Sequence, residues 1–213
     1  MKFDELLSIV AEEPVFETSL LLAGDVDPVN VRRQLSRWTS RGRLHRLRRG
    51  LYALAPPFRK VTPHPFVVAN RMVRPSYVSL QSALAYHSVI PEAVPVTTSI
   101  TTARPGRFST ALGVFVFRHV KLALFRGFGT IDVGGRHDAV VAAPEKALLD
   151  LLYLEKDSDS EAFLDGLRLE LVDGLDLSRL DEDSEWFGRG KVRRAVRRLM
   201  DRRGAVSKKY EVL

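Results

Sequence analysis

DPVNVRRQLSRWTSRGRLHRLRRGLYAL, residues 27–54, contains the helix and the β-hairpin on which the fold prediction depends. Asp27 followed by Pro28 is a strong helix start, because aspartate caps free N–H groups and proline fits the first helical turn. The next apolar residues recur at helical spacing: Val31, Leu35 and Trp38. This spacing predicts an amphipathic helix from Pro28 to about Ser40.

Two short β-like runs follow this helix, at residues 43–47 and 51–54, and Gly50 supplies the turn between them. Upstream, an apolar stripe from Phe3 to Val10 predicts a first helix. Residues 17–23 are predicted as a second, short helix closed by Gly24. Three helices followed by a two-stranded hairpin is the layout of a winged helix-turn-helix. We therefore predict an α+β chain that begins with this module.

The segment from Ala55 to Pro65 contains four prolines and reads as an extended linker. It divides the chain into a predicted winged helix-turn-helix domain at 1–55, a proline-rich linker at 56–65 and a mixed α+β domain at 66–213 with a helical C-terminal tail. Predicted helices and strands of the second domain lie at these positions: helices 66–73, 79–87 (capped by Ser79), 144–154, 161–171 and 191–203, and strands 96–102, 114–120, 131–133 and 139–141.

Charge is strongly segregated along the chain, which has 33 Lys and Arg, 26 Asp and Glu, and a net charge of +7. Residues 28–91 contain twelve bases and no acid, residues 155–185 contain twelve acids, and residues 189–209 contain ten bases and one acid. A solvated surface normally mixes the two signs. A basic block without acids points to a polyanion such as nucleic acid as partner.

The exposed side of the helix at 28–40 carries the residue types that read base edges. Asparagine and glutamine can bind adenine in a bidentate way, and arginine can bind guanine. Arginines on the hairpin add donors to phosphates, and the hairpin tip could enter the neighbouring minor groove or clamp the DNA backbone. The predicted DNA-binding residues are Asn30, Arg32, Arg33, Gln34, Arg37, Arg41, Arg43, Arg46, Arg48 and Arg49.

Several stretches resemble one family in the same order along nearly the whole chain: the winged-helix start, RGLYAL at 49–54, RPSYVSLQSAL at 74–84, PEKALLDLLYL at 144–154 and GKVRRA at 190–195. On these motifs the chain resembles the AbiEi-type antitoxins of bacterial type IV toxin–antitoxin systems. The resemblance implies a transcriptional autorepressor that binds double-stranded promoter DNA and counteracts a cognate nucleotidyltransferase toxin, without a cofactor. At position 88 the family pattern has glycine, where this chain has Ser88.

Catalysis is the main rival class. The chain has no cysteine, no GxSxG motif and no histidine pair at metal-ligand spacing, so no catalytic or metal-binding residue is predicted. Glu145-Lys146 is faintly similar to the acidic–lysine clusters of nucleases, but we expect a helix N-terminal acid and a surface lysine. Two alternatives stay open: a stand-alone repressor without a toxin, and a nucleic-acid-processing enzyme that uses the basic domain for delivery.

The C-terminal helix is predicted to pack through an apolar stripe and to leave its arginines outside. Four of them form a possible partner surface: Arg193, Arg194, Arg197 and Arg198. That surface could face solvent, an external acidic partner or nucleic acid, or the acidic 155–185 segment of the same chain. The phenylalanines at 108, 115, 117, 125 and 128 are expected to be core or apolar surface residues. No signal peptide or membrane span is visible, so we expect a cytoplasmic protein without membrane contact.

Overall fold

The computed structural model describes residues 1–10, 12–23, 26–134, 137–169 and 175–210, with side chains of the last helix described as far as Arg202. It is a mixed α+β structure. The α-helices are α1 (Phe3–Val10), α2 (Pro28–Ser40), α3 (Pro65–Met72), α4 (Leu80–Tyr86), α5 (Pro144–Leu154), α6 (Glu161–Gly166), α7 (Leu177–Ser184) and α8 (Gly190–Tyr210). The strands are β1 (Phe16–Glu17), β2 (Leu44–Arg48), β3 (Leu51–Leu54), β4 (Ser76–Val78), β5 (Val96–Thr101), β6 (Gly106–Thr110), β7 (Gly113–His119), β8 (Phe128–Asp132) and β9 (Asp138–Ala142).

The predicted helix at 28–40 and the predicted hairpin are both present, as α2 and as β2 with β3. The predicted short helix at 17–23 is present in part, as a 3₁₀ helix at Thr18–Leu22; its predicted end at Gly24 lies outside the described residues. Glu17 instead belongs with Phe16 to strand β1, which pairs with β3 in a sheet of order β1-β3-β2. Pairing with residues more than thirty positions away makes Glu17 a strand residue.

The first 55 residues enclose a hydrophobic core of their own. Leu6 and Leu35 are fully buried in it, together with Trp38 and Leu54. Phe58, from the proline-rich segment, packs against this core through an edge-to-face contact with Phe3, at 5.0 Å between ring centroids. The proline-rich segment is therefore attached to the N-terminal module along part of its length.

A six-stranded mixed sheet organises the second part of the chain, in the order β6-β7-β5-β4-β9-β8. The pairs β5–β7 and β4–β9 are parallel, and the other pairs are antiparallel. The predicted strands are present in this sheet, whereas β4 and β6 were not predicted from the sequence. Helix α5 is buried along almost its whole length against the sheet and its neighbours. Ser79 precedes α4 as predicted, but its side chain does not cap the helix.

The larger hydrophobic cluster extends into the N-terminal module. Val15, Leu47, Leu51 and Ala53 belong to it, although they precede the proline-rich segment. One face of the hairpin therefore packs against the second module while the other covers the N-terminal core. The division into domains at 1–55, 56–65 and 66–213 stays a prediction. Within the described part of the chain, no helix has the length and apolar composition needed to cross a membrane.

Candidate nucleic-acid interface

Helix α2 begins where the sequence predicted it to begin. The side chain of Asp27 accepts a hydrogen bond from the backbone N–H of Val29 at 2.9 Å, and Pro28 occupies the first helical turn. Val31, Leu35 and Trp38 are buried. The helix is thereby fixed to the module by one side, and its remaining surface is available to a partner.

The side of α2 opposite its buried stripe carries one predicted residue, Arg33, and three residues that were not predicted. At about 100° per residue, the residues directly opposite the stripe are Val29, Arg33, Ser36 and Ser40, and all four are exposed. The predicted residues Asn30, Gln34, Arg37 and Arg41 lie on one flank of this surface. Val29, Ser36 and Ser40 were not predicted, because they carry neither the basic nor the amide groups that are typical of base-reading side chains.

Two predicted base-reading residues already contact each other. A guanidinium nitrogen of Arg37 donates a hydrogen bond to Oε1 of Gln34 at 2.5 Å, and Gln34 is half-buried. A bidentate contact to adenine needs both the oxygen and the nitrogen of the glutamine amide. Gln34 must therefore exchange this internal bond before it can read a base in that way, whereas Arg37 keeps further donors free.

The hairpin tip is tied to the start of the 3₁₀ helix. Thr18 donates from its backbone N–H to the carbonyl of Gly50 at 2.8 Å, and from its hydroxyl to the same oxygen at 3.3 Å. Gly50 has a φ of +80°, a conformation that glycine adopts without strain. These bonds fix the tip relative to the core that also holds α2, so the hairpin and the helix form one preorganised surface.

A polar groove of about 500 Å³ lies between the 3₁₀ helix, α2 and the hairpin. Three predicted arginines line it, Arg32 from α2 and Arg46 and Arg49 from the hairpin, and among the residues that the structure describes no carboxylate lines it. Four hydroxyl-bearing side chains are also in the lining: Thr18, Ser19, Ser36 and Tyr52. Guanidinium and hydroxyl groups together are the usual donors to nucleic-acid phosphates.

Two other predicted arginines lie in different surroundings. The guanidinium of Arg43 lies over the ring of Phe3, 4.8 Å from its centroid, so this side chain stabilises the N-terminal core. Nε of Arg48 is buried and has no hydrogen-bond partner among the described residues. Arg41, by contrast, is exposed just after α2. Arg43 and Arg48 are thus partly committed to the protein interior.

The arginines of α8 face the acidic segment of the same chain, one of the three alternatives that the sequence left open. A guanidinium nitrogen of Arg194 lies 2.8 Å from a carboxylate oxygen of Asp159, and Arg198 donates to the backbone carbonyl of Asp159. Arg193 lies 3.5 Å from Glu185. The Arg194 contact also lowers the pKa of the Asp159 carboxyl below its ordinary value. Arg197 is exposed and has no such ion pair among the described residues.

The expectation that Lys146 of the Glu145-Lys146 pair is a surface lysine is wrong. Lys146 is not a surface lysine, because its side chain is only 1% exposed. Its ammonium donates to Oδ1 of Asp150 and, at 2.7 Å, to the hydroxyl of Tyr77. Oδ2 of Asp150 accepts from the Tyr77 hydroxyl at 3.0 Å and from Ser79 at 2.8 Å. Glu145 instead accepts a backbone N–H from Asp176 at 2.9 Å.

Burial changes the acid–base properties of this cluster. Loss of solvent lowers the pKa of the Lys146 ammonium and raises the pKa of the Asp150 carboxyl. Burial and the nearby Asp150 together raise the pKa of Tyr77, so its hydroxyl remains a hydrogen-bond donor. The cluster joins β4 to α5 with each polar group partnered, which makes it a polar element of the core.

No protein-family model matches the chain, and no curated protein shows significant sequence similarity to it. The resemblance to AbiEi-type antitoxins therefore stays a prediction. Among the described residues, no group of three or more histidine, aspartate and glutamate side chains could hold a metal ion.

Proposed function

We propose that the N-terminal module binds double-stranded DNA as a winged helix, with α2 in the major groove and the hairpin against the backbone. The observation that carries this proposal is the groove in which Arg32, Arg46 and Arg49 meet beside the exposed surface of α2. Three cations that line one groove repel one another, and a polyanion relieves that repulsion. A neutral partner would not.

The dimensions of the module favour a duplex. Helix α2 has 13 residues and is therefore about 20 Å long, and the major groove of B-DNA, about 12 Å wide, admits such a helix. With α2 in the groove, the arginines of the flanking hairpin lie where a neighbouring phosphate strand runs. Arg33 and Arg37 are the side chains with the strongest base-reading chemistry on the exposed surface.

Fluorescence anisotropy tests this proposal with a duplex selected from a random-sequence library by the full chain. Arg33→Ala or Arg37→Ala is expected to weaken binding to the selected duplex by about 1–3 kcal/mol and to relax its sequence preference. Lys121→Ala, an exposed cation of the second module, is the matched control and should have no comparable effect. Unchanged affinity in both α2 variants would contradict the proposed interface.

The biological role that we propose is autorepression of transcription combined with neutralisation of a nucleotidyltransferase toxin. Its support is the resemblance of the motifs at 49–54, 74–84, 144–154 and 190–195 to AbiEi-type antitoxins. A stand-alone repressor is the alternative. Co-expression with a nucleotidyltransferase encoded beside this chain distinguishes the two, because an antitoxin restores growth and a lone repressor does not.

Two single charge reversals in α8 test whether this helix takes part in antitoxicity. Arg194→Glu brings two carboxylates together at Asp159, so it would disturb the docking of α8. Arg197→Glu changes only an exposed position. If the tail contacts an external acidic partner, Arg197→Glu is expected to reduce rescue from the toxin at an unchanged melting temperature. Full rescue by this variant would reject Arg197 as part of the antitoxin surface.

A further inference from the structure

A second, open cleft of about 580 Å³ lies in the second module, between the end of α3 and the strands β8 and β9. It differs from the arginine groove in that much of its lining is apolar. Phe125, Phe128 and Val140 line one part, and Arg71, Arg74 and Asp138 line another. Its volume falls within the range of about 300–1,000 Å³ that is common for small-molecule sites.

The apolar part of the cleft is a fixed aromatic surface. Phe128 stacks on Tyr77 with ring centroids 4.5 Å apart and an angle of 21° between the planes, and Phe125 meets Phe128 edge-on at 5.0 Å. Tyr77 is held by its hydroxyl bonds to Asp150 and Lys146. Phe125 and Phe128 are only half-buried. A rigid, half-exposed aromatic surface favours a flat ring, which packs on it without a further loss of side-chain freedom.

The polar part of the cleft carries one unpaired cation. Arg74 lies 3.5 Å from Glu17 and is partly neutralised by it. The guanidinium of Arg71 has no carboxylate within 4.0 Å among the residues that the structure describes. Asp138 adds a hydrogen-bond acceptor to the same lining. An exposed planar guanidinium beside an aromatic surface matches a carboxylate in a bidentate way.

We infer that this cleft binds a small aromatic carboxylate with a hydroxyl or amino group on its ring. The ring packs on Phe125 and Phe128, and the carboxylate pairs with Arg71. The ring substituent donates a hydrogen bond to Asp138. A larger polyanion fits less well, because Asp138 and the apolar lining oppose a phosphate chain. A compact ligand with one negative charge can instead contact the aromatic surface, Arg71 and Asp138 at the same time.

Isothermal titration calorimetry of the full chain with 4-hydroxybenzoate tests the inference, and phenol serves as the probe without a carboxylate. We expect saturable 1:1 binding of 4-hydroxybenzoate and at least tenfold weaker binding of phenol. Arg71→Gln should weaken 4-hydroxybenzoate binding about tenfold and leave phenol binding nearly unchanged. Arg168→Gln, an exposed arginine of the same module, is the matched control and should leave both unchanged.

A second variant distinguishes a loss of ligand binding from a loss of folding. Phe125→Leu keeps an apolar side chain but removes one ring, so it should weaken both probes while the melting temperature stays close to that of the original protein. Absence of saturable binding, or 4-hydroxybenzoate binding that neither Arg71→Gln nor Phe125→Leu weakens, would overturn the inference. Because no DNA is present in the experiment, its failure would leave the proposed DNA-binding function untouched.

Discussion

Removal of the three groove arginines should change the salt dependence of DNA binding in a calculable way. Arg32, Arg46 and Arg49 line one groove, in which none of the described lining residues is a carboxylate. Each protein–phosphate contact contributes about 0.9 to the slope of log K against log salt concentration on B-DNA. If all three arginines contact phosphates, replacing them with alanine lowers the magnitude of that slope by about 2.7.

The assay is fluorescence anisotropy of a labelled 20-base-pair duplex, titrated with the full chain at several salt concentrations between about 50 and 200 mM. The matched control replaces Lys121, Lys156 and Arg168 with alanine, which removes the same charge from exposed positions of the second module. Its slope should remain close to that of the original protein. An equal fall of the slope in both triple variants, or no fall in the groove variant, would refute the reasoning.

Three further predictions concern stability, each measured by urea unfolding. Nδ1 of His64 accepts a hydrogen bond from the backbone N–H of Phe66 at the start of α3, and burial lowers the pKa of His64 below 6.5. The capping bond is therefore complete above pH 6.5 and is lost as the pH falls through the lowered pKa. Between pH 7.5 and 5, the original protein should lose more stability than His64→Asn, and an equal loss in both would contradict this role. Ser88 has a φ of +57°, so Ser88→Gly should raise the free energy of unfolding by about 0.5–1 kcal/mol, and a destabilised variant would be inconsistent with strain at this position. Asp150→Asn or Lys146→Met should each lower the free energy of unfolding by about 3–5 kcal/mol, because one buried charge loses its partner. The double variant should lower it by less than the sum of the two single effects, and simple additivity would argue against the pair acting as a unit.

The elements that local signals define were predictable from the sequence. Asp27 and Pro28 start α2, and Gly50 permits the hairpin turn, because both effects act within a few residues. Strand β1 was not predictable in this way, since Phe16 becomes a strand only by pairing with Tyr52. Strand β4 has three residues and is defined by β5 and β9 on its two sides.

The candidate sites show the same limit. Sequence spacing identified the arginines of the groove, but it could not separate Arg32, Arg46 and Arg49 from Arg43, whose guanidinium packs on Phe3. The buried position of Lys146 depends on Tyr77, 69 residues earlier in the chain. One local signal could have indicated it: Lys146 and Asp150 are four residues apart on a mostly apolar helix, where opposite charges can form an internal pair.

Site-directed cleavage of DNA tests the central claim most directly, because the chain has no cysteine and a single introduced thiol can be labelled alone. Ser36→Cys places an iron chelate on the exposed side of α2, and Ser178→Cys places the same chelate on α7 in the second module. With the duplex selected by the full chain, the label at position 36 is expected to cut both strands within a few base pairs of one position. The label at position 178 should cut weakly or not at all. Strong cleavage from position 178 with none from position 36 would contradict the assignment of α2 as the DNA-binding helix.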